Sequence, residues 1–298
     1  MPEISLIIAT LHRTDELRRL LDTLTQQSFK NFEIIIVDQN NDNRIEKLFI
    51  NFPFKSLTLQ HLRNHPANLA AARNIGIAKA KGKWCGFPDD DCWYEPTTLE
   101  RLHQRCEWND SPHGVIARWV EQNLALSPTS LSWKKSSQFR DLPVSSISLF
   151  IHKRLITQLG GFDTRLGVGQ WFGAAEETDL VLRALKEQAI IVYEPSIKIH
   201  HKTTDSLEEH SPEFRLQAKK RARGTGALYA KHHLSSWVIF RGLIAPILRP
   251  LKRGQFTHEL AHGLSLTLGR LQGWLNWTRQ ESNVLSSLSA MREDKGQS

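Results

Sequence analysis

The 298-residue sequence is poor in cysteine and has no glycine-rich nucleotide loop and no long apolar run; each shortage excludes a class of protein. Three cysteines, Cys85, Cys92 and Cys106, are too few and too irregularly spaced for a disulfide framework or a four-ligand zinc site. No GxGxxG occurs, since the Gly167-Val168-Gly169 turn neither follows a strand nor opens a helix as that pattern requires. The apolar run that starts at Trp237 is broken by Arg241 and Pro246 and is too short and too charged to span a bilayer. A secretory signal is not expected either. Met1 leads within three residues into what reads as a strand, which points to a reducing cytoplasm. Seventeen glycines and twelve prolines exclude fibrous classes, and neither internal repeats nor low-complexity tracts occur.

What remains is ordinary globular composition, 40% apolar and 23% charged. The length suits one large domain with an appendage, or two modest domains. The formal charge of +8 invites a nucleic-acid or membrane-surface reading, but it is unevenly spread. Residues 201–298 hold 15 Lys and Arg against 8 Asp and Glu, so the first two thirds are close to neutral. The basic character belongs to the tail.

Along those first two thirds, strands alternate with helices. Ile4–Thr10 and Phe32–Val37 are β-branched apolar runs of the kind buried on both faces of a sheet. Between them, Thr14-Asp15-Glu16 open a helix with Leu17, Leu20, Leu21 and Leu24 at i, i+3, i+4 and i+7. A weaker strand over 57–62, an Ala-rich helix over 68–81 closed by Gly82, and a short strand over 84–87 follow. Residues 110–150 are less regular. A strand over 147–152, the turn Gly160-Gly161-Phe162-Asp163, a helix over 174–188 and a strand from Ile190 that ends at Pro195 complete the pattern. This alternation predicts an α/β sheet built from βαβ units. Ligands of such sheets sit outside the carboxyl ends of the strands, so Asp38 and Asp89-Asp90-Asp91 should face one crevice.

Three adjacent carboxylates repel one another, and they are reasonable together where a cation neutralises them. Hard oxygen ligands favour Mg²⁺ or Mn²⁺. The competing reading is a solvated acidic turn that caps the next helix near Pro96. Glu176-Glu177-Thr178-Asp179 likewise admits two readings: acids that complement a helix dipole, or a carboxylate placed as a general base. Gly173-Ala174-Ala175 and the Trp171-Phe172 pair before it suggest a mobile approach to a pocket.

At these residues the chain resembles the family 2 glycosyltransferases, inverting enzymes of the GT-A fold. The likeness runs over residues 1–205. It is carried by the first strand ending in Thr10 with Arg13 beyond it, by FEIIIVD ending in Asp38, and by ARNIG at Ala72-Arg73-Asn74-Ile75-Gly76. FPDDD at Phe87–Asp91, GGFD at Gly160–Asp163, EETDL at Glu176–Leu180 and Pro195–His201 continue it in order. The resemblance implies a GT-A-like, Rossmann-like mixed sheet flanked by helices, with a nucleotide-sugar half over 1–100, an acceptor half over 101–205 and a helical extension over 206–298. It implies donor contacts from Thr10, Arg13, Asp38, Arg73, Asp89 and Asp90, and a divalent metal (Mg²⁺ or Mn²⁺) at Asp89 and Asp91. Glu177 would be the general base, and Trp171, Glu176 and Asp179 would lie on the acceptor side. His201 would complete the metal shell or be merely packed, with His200 as its neighbour and alternative. Trp171 would stack on a sugar or cover the core. Three departures stand out. The catalytic-base position, more often Asp in the family, is Glu177, one methylene longer. Gln39-Asn40-Asn41-Asp42 replaces the family's common Asp-Gly-Ser, and no Gln-x-x-Arg-Trp occurs, which points to a non-processive member.

The tail carries ten cations from Arg215 to Arg253, including Lys252, with no Asp or Glu between Glu213 and Glu259. Trp237-Val238-Ile239-Phe240 and later Leu264 to Trp277 interleave apolar residues with them. This pattern reads as helices lying in a membrane interface, on the inner face for a cytoplasmic protein, or as helices packed on the catalytic domain. Nucleic acid is not expected as a partner, because no nucleic-acid module accompanies the charge. The expected function is transfer of a sugar from a nucleotide-sugar to a saccharide or lipid-linked acceptor. A sugar-nucleotide pyrophosphorylase would need a Gly-rich triphosphate loop, which ISLIIATLHRTDE lacks. A non-catalytic, membrane-tethered sugar-binding module is the other alternative.

Overall fold

A computed structural model describes residues 1–52, 54, 56–108, 112–139, 142–202, 211–253 and 258–296; the side chains of 252, 253 and 284–296 are outside that description. The chain divides into two compact units, Met1–Thr164 with Glu176–Thr204, and Arg165–Ala175 with Asp205–Ser298. The boundary expected at 205–206 lies outside the described residues. Residues 165–175, read from sequence as part of the first domain, group instead with the helices of the second.

The first unit is built on β1 (Ile4–Thr10), β2 (Phe32–Asp38), β3 (Leu59–Arg63), β4 (Trp84–Gly86), β5 (Cys92–Tyr94), β6 (Gly114–Trp119), β7 (Thr129–Ser130), β8 (Leu149–His152) and β9 (Ile191–His201). Among the described residues these nine strands form one mixed sheet, in the order β3-β2-β1-β4-β8-β6-β9-β5, with β7 beside β9. β3, β2, β1 and β4 run parallel, and β8 is antiparallel to both β4 and β6. Around it lie α1 (Asp15–Thr25), α2 (Arg44–Asn51), α3 (Leu69–Lys79), α4 (Thr98–Cys106), α5 (Trp133–Ser136), α6 (Lys153–Gln158) and α7 (Glu176–Lys186).

Strand alternation sorts the core into two layers. Ile4, Leu6, Ile8, Ile34 and Ile36 face one side and meet the four buried leucines of α1. Ile7, Ile35 and Val37 face the other, against Ala70, Ala72 and Ile77 of α3 and Leu180, Val181 and Ala184 of α7. Small residues let α3 approach the sheet closely: a Cβ at Gly76 would collide with the Ile7 side chain. Each large apolar side chain buried in these layers contributes about 1.5–3 kcal/mol.

β9 runs through Pro195, where the pattern from Ile190 reads as ending, and continues to His201 as the closing strand that the family resemblance implies over Pro195–His201. Its parallel register with β6 jumps from Ala117↔Glu194 to Arg118↔Lys198, so Pro195 falls in the unpaired bulge and its missing N–H costs no ladder bond. The segment 110–150, which reads as irregular, supplies β6, β7, α5 and a 3₁₀ turn over Ser146–Ser148.

The second unit comprises α8 (Pro212–Lys231), α9 (Ser236–Arg253), α10 (His258–Gly296) and the strap 165–175. Glycines bring α8 and α10 into backbone contact: a Cβ at Gly226 would strike the Arg270 carbonyl, and one at Gly273 the Arg223 carbonyl. Trp277 is fully buried, with Phe172 at 5.2 Å and Arg165 at 3.9 Å over its ring. The strap is fixed to α8 by Gly173 N–H donating to the Lys220 carbonyl. Among the described residues no helix is long and apolar enough to cross a membrane.

Candidate active site

The site assembles where strands end. Thr10 closes β1 directly opposite Asp38, the last residue of β2. β4 runs out through Phe87-Pro88 into Asp89-Asp90-Asp91, and β5 then pairs antiparallel with β9 so that Cys92 lies opposite His201. This one ladder, between strands over a hundred residues apart, brings His201 beside Asp91.

Each carboxylate of the triplet has its own partner. Asp90, buried, accepts from Thr10 Oγ1 at 2.7 Å and Arg13 Nη1 at 2.8 Å. Asp91 meets the same Arg13 nitrogen at 2.5 Å and His201 Nε2 at 2.9 Å. Asp89 accepts from Arg73 Nη2 at 2.9 Å, and Arg73 Nη1 donates to Glu176 at 2.9 Å. Arg73 is only 1% exposed, so one buried guanidinium ties the acidic turn after β4 to the start of α7.

These surroundings move the titrations apart. Burial pushes Asp90 up to about 6, against the bonds from Thr10 and Arg13. Burial also raises Asp89, with Arg73 opposing and Asp91 adding to the rise. Burial alone would raise Asp91 too, but the bond and charge of His201, then Arg13, leave it lowered. His201 is raised: burial works against its charge, and Asp91 and then Asp89 outweigh it. Glu177 is held well above the usual carboxylate range, first by burial and then by the adjacent charge of Glu176.

Asp89, Asp91 and His201 each offer one ligand atom, all within 4.8 Å of one another. His201 Nδ1 is buried without a hydrogen-bond partner, so the ring has a donor atom to spare. Two carboxylates and an imidazole suit a small divalent cation. His200, the alternative, is engaged elsewhere: it stacks on Trp93 at 5.4 Å and bonds Glu121 at 2.9 Å and Glu95 at 3.3 Å.

Asp38 is wholly buried. Its Oδ1 accepts from the backbone and side chain of Asn40, at 2.8 and 2.7 Å, and its Oδ2 lies 3.1 Å from His61 Nε2. Asn40 Oδ1 in turn accepts from His12 N, and Gln39 Oε1 accepts from Asn68 N at the start of α3. The unusual Gln-Asn-Asn run thus stitches together the loops after β1 and β2. Gln39 and Asn40 stand out in the sequence only as a departure from the family pattern, and His61, which reaches Asp38 from the neighbouring strand, carries no local signal.

The acceptor-side candidates do not gather into one cluster. Glu176 joins Arg73. Asp179 is fully buried and bonds Arg183 at 2.8 Å, and Arg183 reaches the carbonyls of Leu159 and Gly161. Gly160 and Gly161 both have φ near +75°, where a side chain is strained. Asn74 holds the same turn through the backbone of Phe162. Trp171 lies in the second unit with Arg223 at 4.5 Å over its ring. Ala175, just before Glu176, has φ +85, a sparsely populated conformation for a residue with a side chain.

A mixed sheet with helices on both faces and an acidic turn at its strand ends defines a GT-A-type glycosyltransferase fold. Solved structures agree on the fold. Staphylococcus aureus TarS 1-349 in complex with UDP-GlcNAc aligns with TM-score 0.59 at 13% identity, over 91% of this chain and 92% of that one. The mannosyltransferase PcManGT from Pyrobaculum calidifontis, in complex with GDP-Man and Mn²⁺, aligns with TM-score 0.58 at 14% identity, over 97% and 80%. Residues 5–155, just over half of the chain, match the family described as Glycosyl transferase family 2, and the protein belongs to that family. An uncharacterized glycosyltransferase of Haemophilus influenzae is 28% identical over 198 residues, which span 64% of this chain and 64% of that relative.

Proposed function

We propose that the protein is an inverting glycosyltransferase that moves a sugar from a nucleotide-sugar to a hydroxyl of a saccharide or lipid-linked acceptor. The observation that carries this reading is Arg73, which joins the Asp89–Asp91–His201 cation site to the Glu176-Glu177 helix start. Residues 1–100 would hold the donor and 101–205 the acceptor. Thr10, Arg13, Asp38, Arg73, Asp89 and Asp90 line or brace the donor side. A divalent cation held by Asp89, Asp91 and His201 would stabilise negative charge on the departing diphosphate.

Glu177 takes the proton from the acceptor hydroxyl as its oxygen attacks the anomeric carbon. The new C–O bond forms on the face opposite the breaking bond to phosphate, and the nucleoside diphosphate leaves with that electron pair. One displacement inverts the centre. The raised affinity of Glu177 for a proton makes it a stronger base than a solvated carboxylate, which suits this step. Glu176 and Asp179, paired to Arg73 and Arg183, brace the acceptor-side segment.

The second unit would seat the enzyme on the cytoplasmic face of a membrane. Trp237, Phe240, Leu248 and Leu251 are exposed and fall on one side of α9. They lie within the 214–258 stretch that has cations and no acids. An apolar stripe flanked by cations fits an anionic lipid surface.

A thermal-shift screen of UDP-, GDP- and dTDP-sugars, with and without Mn²⁺ or Mg²⁺, tests the donor reading. A ligand at a hundred times its Kd stabilises the native state by about 2.7 kcal/mol. One nucleotide class should raise the Tm, more strongly with metal. Flat responses to all of them would refute the proposal.

A further inference from the structure

A second set of metal-ligating side chains lies at the opposite end of the sheet. Glu3 immediately precedes β1, and His103 and Glu107 stand four residues apart at the end of α4, on one face. One ligand atom from each lies within 4.8 Å of the others. Two of these side chains carry buried polar atoms with no hydrogen-bond partner, Glu3 Oε1 and His103 Nδ1. An orphaned carboxylate oxygen and an orphaned imidazole nitrogen each carry a desolvation cost, and a cation shared between them would relieve both.

The side chains are held in place. His103 stacks on Phe29 with ring centroids 4.7 Å apart. Glu3 Oε2 is fixed by Lys83 at 3.1 Å, which leaves Oε1 as its second donor. A cavity of about 990 Å³, lined in part by Glu3, Cys106, Glu107 and His113, adjoins the group and offers an entry path and room for a completing water.

We propose that Glu3, His103 and Glu107 form a structural site for a divalent transition-metal cation of the zinc type. One imidazole with two carboxylates and an open fourth position is a zinc-compatible donor set. The site is remote from the catalytic crevice: β1 carries the chain about 23 Å from Glu3 to Thr10 at ~3.3 Å per residue. Its effect is therefore to pin the end of α4 to the first strand, independently of the sugar-transfer reading.

The test uses the full chain carrying Asp91→Asn and His201→Gln, so that the crevice no longer takes up metal. ZnCl₂ titration by calorimetry, with bound zinc counted by atomic emission, should find a single zinc per chain and a raised Tm. Adding His103→Gln and Glu107→Gln should remove both. Outer-shell partners alone are worth roughly 10–100-fold in metal affinity, so loss of two direct ligands should weaken binding by at least about 100-fold. Absence of stoichiometric zinc uptake in the first variant, or equal uptake in the second, would overturn the site. In the otherwise unaltered chain, His103→Gln should leave sugar transfer unchanged, which separates this site from the catalytic reading; loss of transfer in a folded His103→Gln chain would overturn its structural role.

Discussion

Arg73 and Glu176 are joined by a buried hydrogen-bonded ion pair at 2.9 Å, and the other terminal nitrogen of the same guanidinium holds Asp89 at an equal distance. The two acids come from the loop after β4 and the first turn of α7, so Arg73 sets the spacing between the cation site and the proposed base. A lysine is a single point charge and cannot hold both carboxylates in a fixed fork. Arg73→Lys should fold but lose about 10²–10³ in kcat, the usual cost of one preorganised charge-stabilising donor. Arg73→Ala should also destabilise the fold by about 3–5 kcal/mol, because it leaves buried acids unpaired. Steady-state kinetics with urea melts decide this. Wild-type turnover in Arg73→Lys would mean the bridge is purely structural.

Glu177→Gln keeps shape and hydrogen-bonding capacity while removing the base. Donor binding, read by thermal shift, should stay within a fewfold of wild type, whereas transfer should fall by ~10²–10⁴. Transfer at close to the native rate would eliminate Glu177 as the base and leave the site in need of another carboxylate.

Glu177 and its neighbour Glu176 together predict a pH dependence. Burial and the Glu176 charge raise the Glu177 pKa, and a base works only when deprotonated. The acid limb of kcat should therefore lie above the ordinary carboxylate range, with activity lost as pH falls through it. Glu176→Gln removes one raising influence and should move that limb to lower pH, even if maximal turnover also drops. A limb that stays put, or moves up, contradicts the coupling.

The parts of the fold that were legible in sequence are those fixed by local periodicity. The buried runs of β1 and β2 and the leucine stripe of α1 emerge as expected, because a period of 2 or 3.6 is visible within one segment. Pairing between distant segments was not legible. β5 has three residues and pairs with the distant β9, β6 lies between β8 and β9, and β9 passes Pro195 only because a bulge absorbs it. The site divides in the same way. Asp89-Asp90-Asp91 stood out as a local run of charge, whereas the Arg73–Glu176 bond spans 103 residues and the His61 contact to Asp38 depends on which strand lies beside β2. Asp179, expected on the acceptor side, turns inward to Arg183 at i+4, a pairing that helix spacing allows but does not require.

The exposed side of α9 makes a prediction about location. Trp237 and Phe240 stack on each other at 6.0 Å and are 61% and 56% exposed, an arrangement that water does not favour for two large aromatic side chains. If this face inserts into lipid headgroups, the protein should sediment with vesicles rich in phosphatidylglycerol and much less with neutral phosphatidylcholine. Each cation near an anionic surface adds about 1 kcal/mol, so raising the salt should weaken the attachment steeply. Trp237→Ser with Phe240→Ser should release the protein from vesicles while transfer to a soluble acceptor persists. If that variant sediments like the wild type, the basic helices attach by charge alone and the apolar stripe has another partner. If neither protein sediments, the second unit does not serve as a membrane anchor.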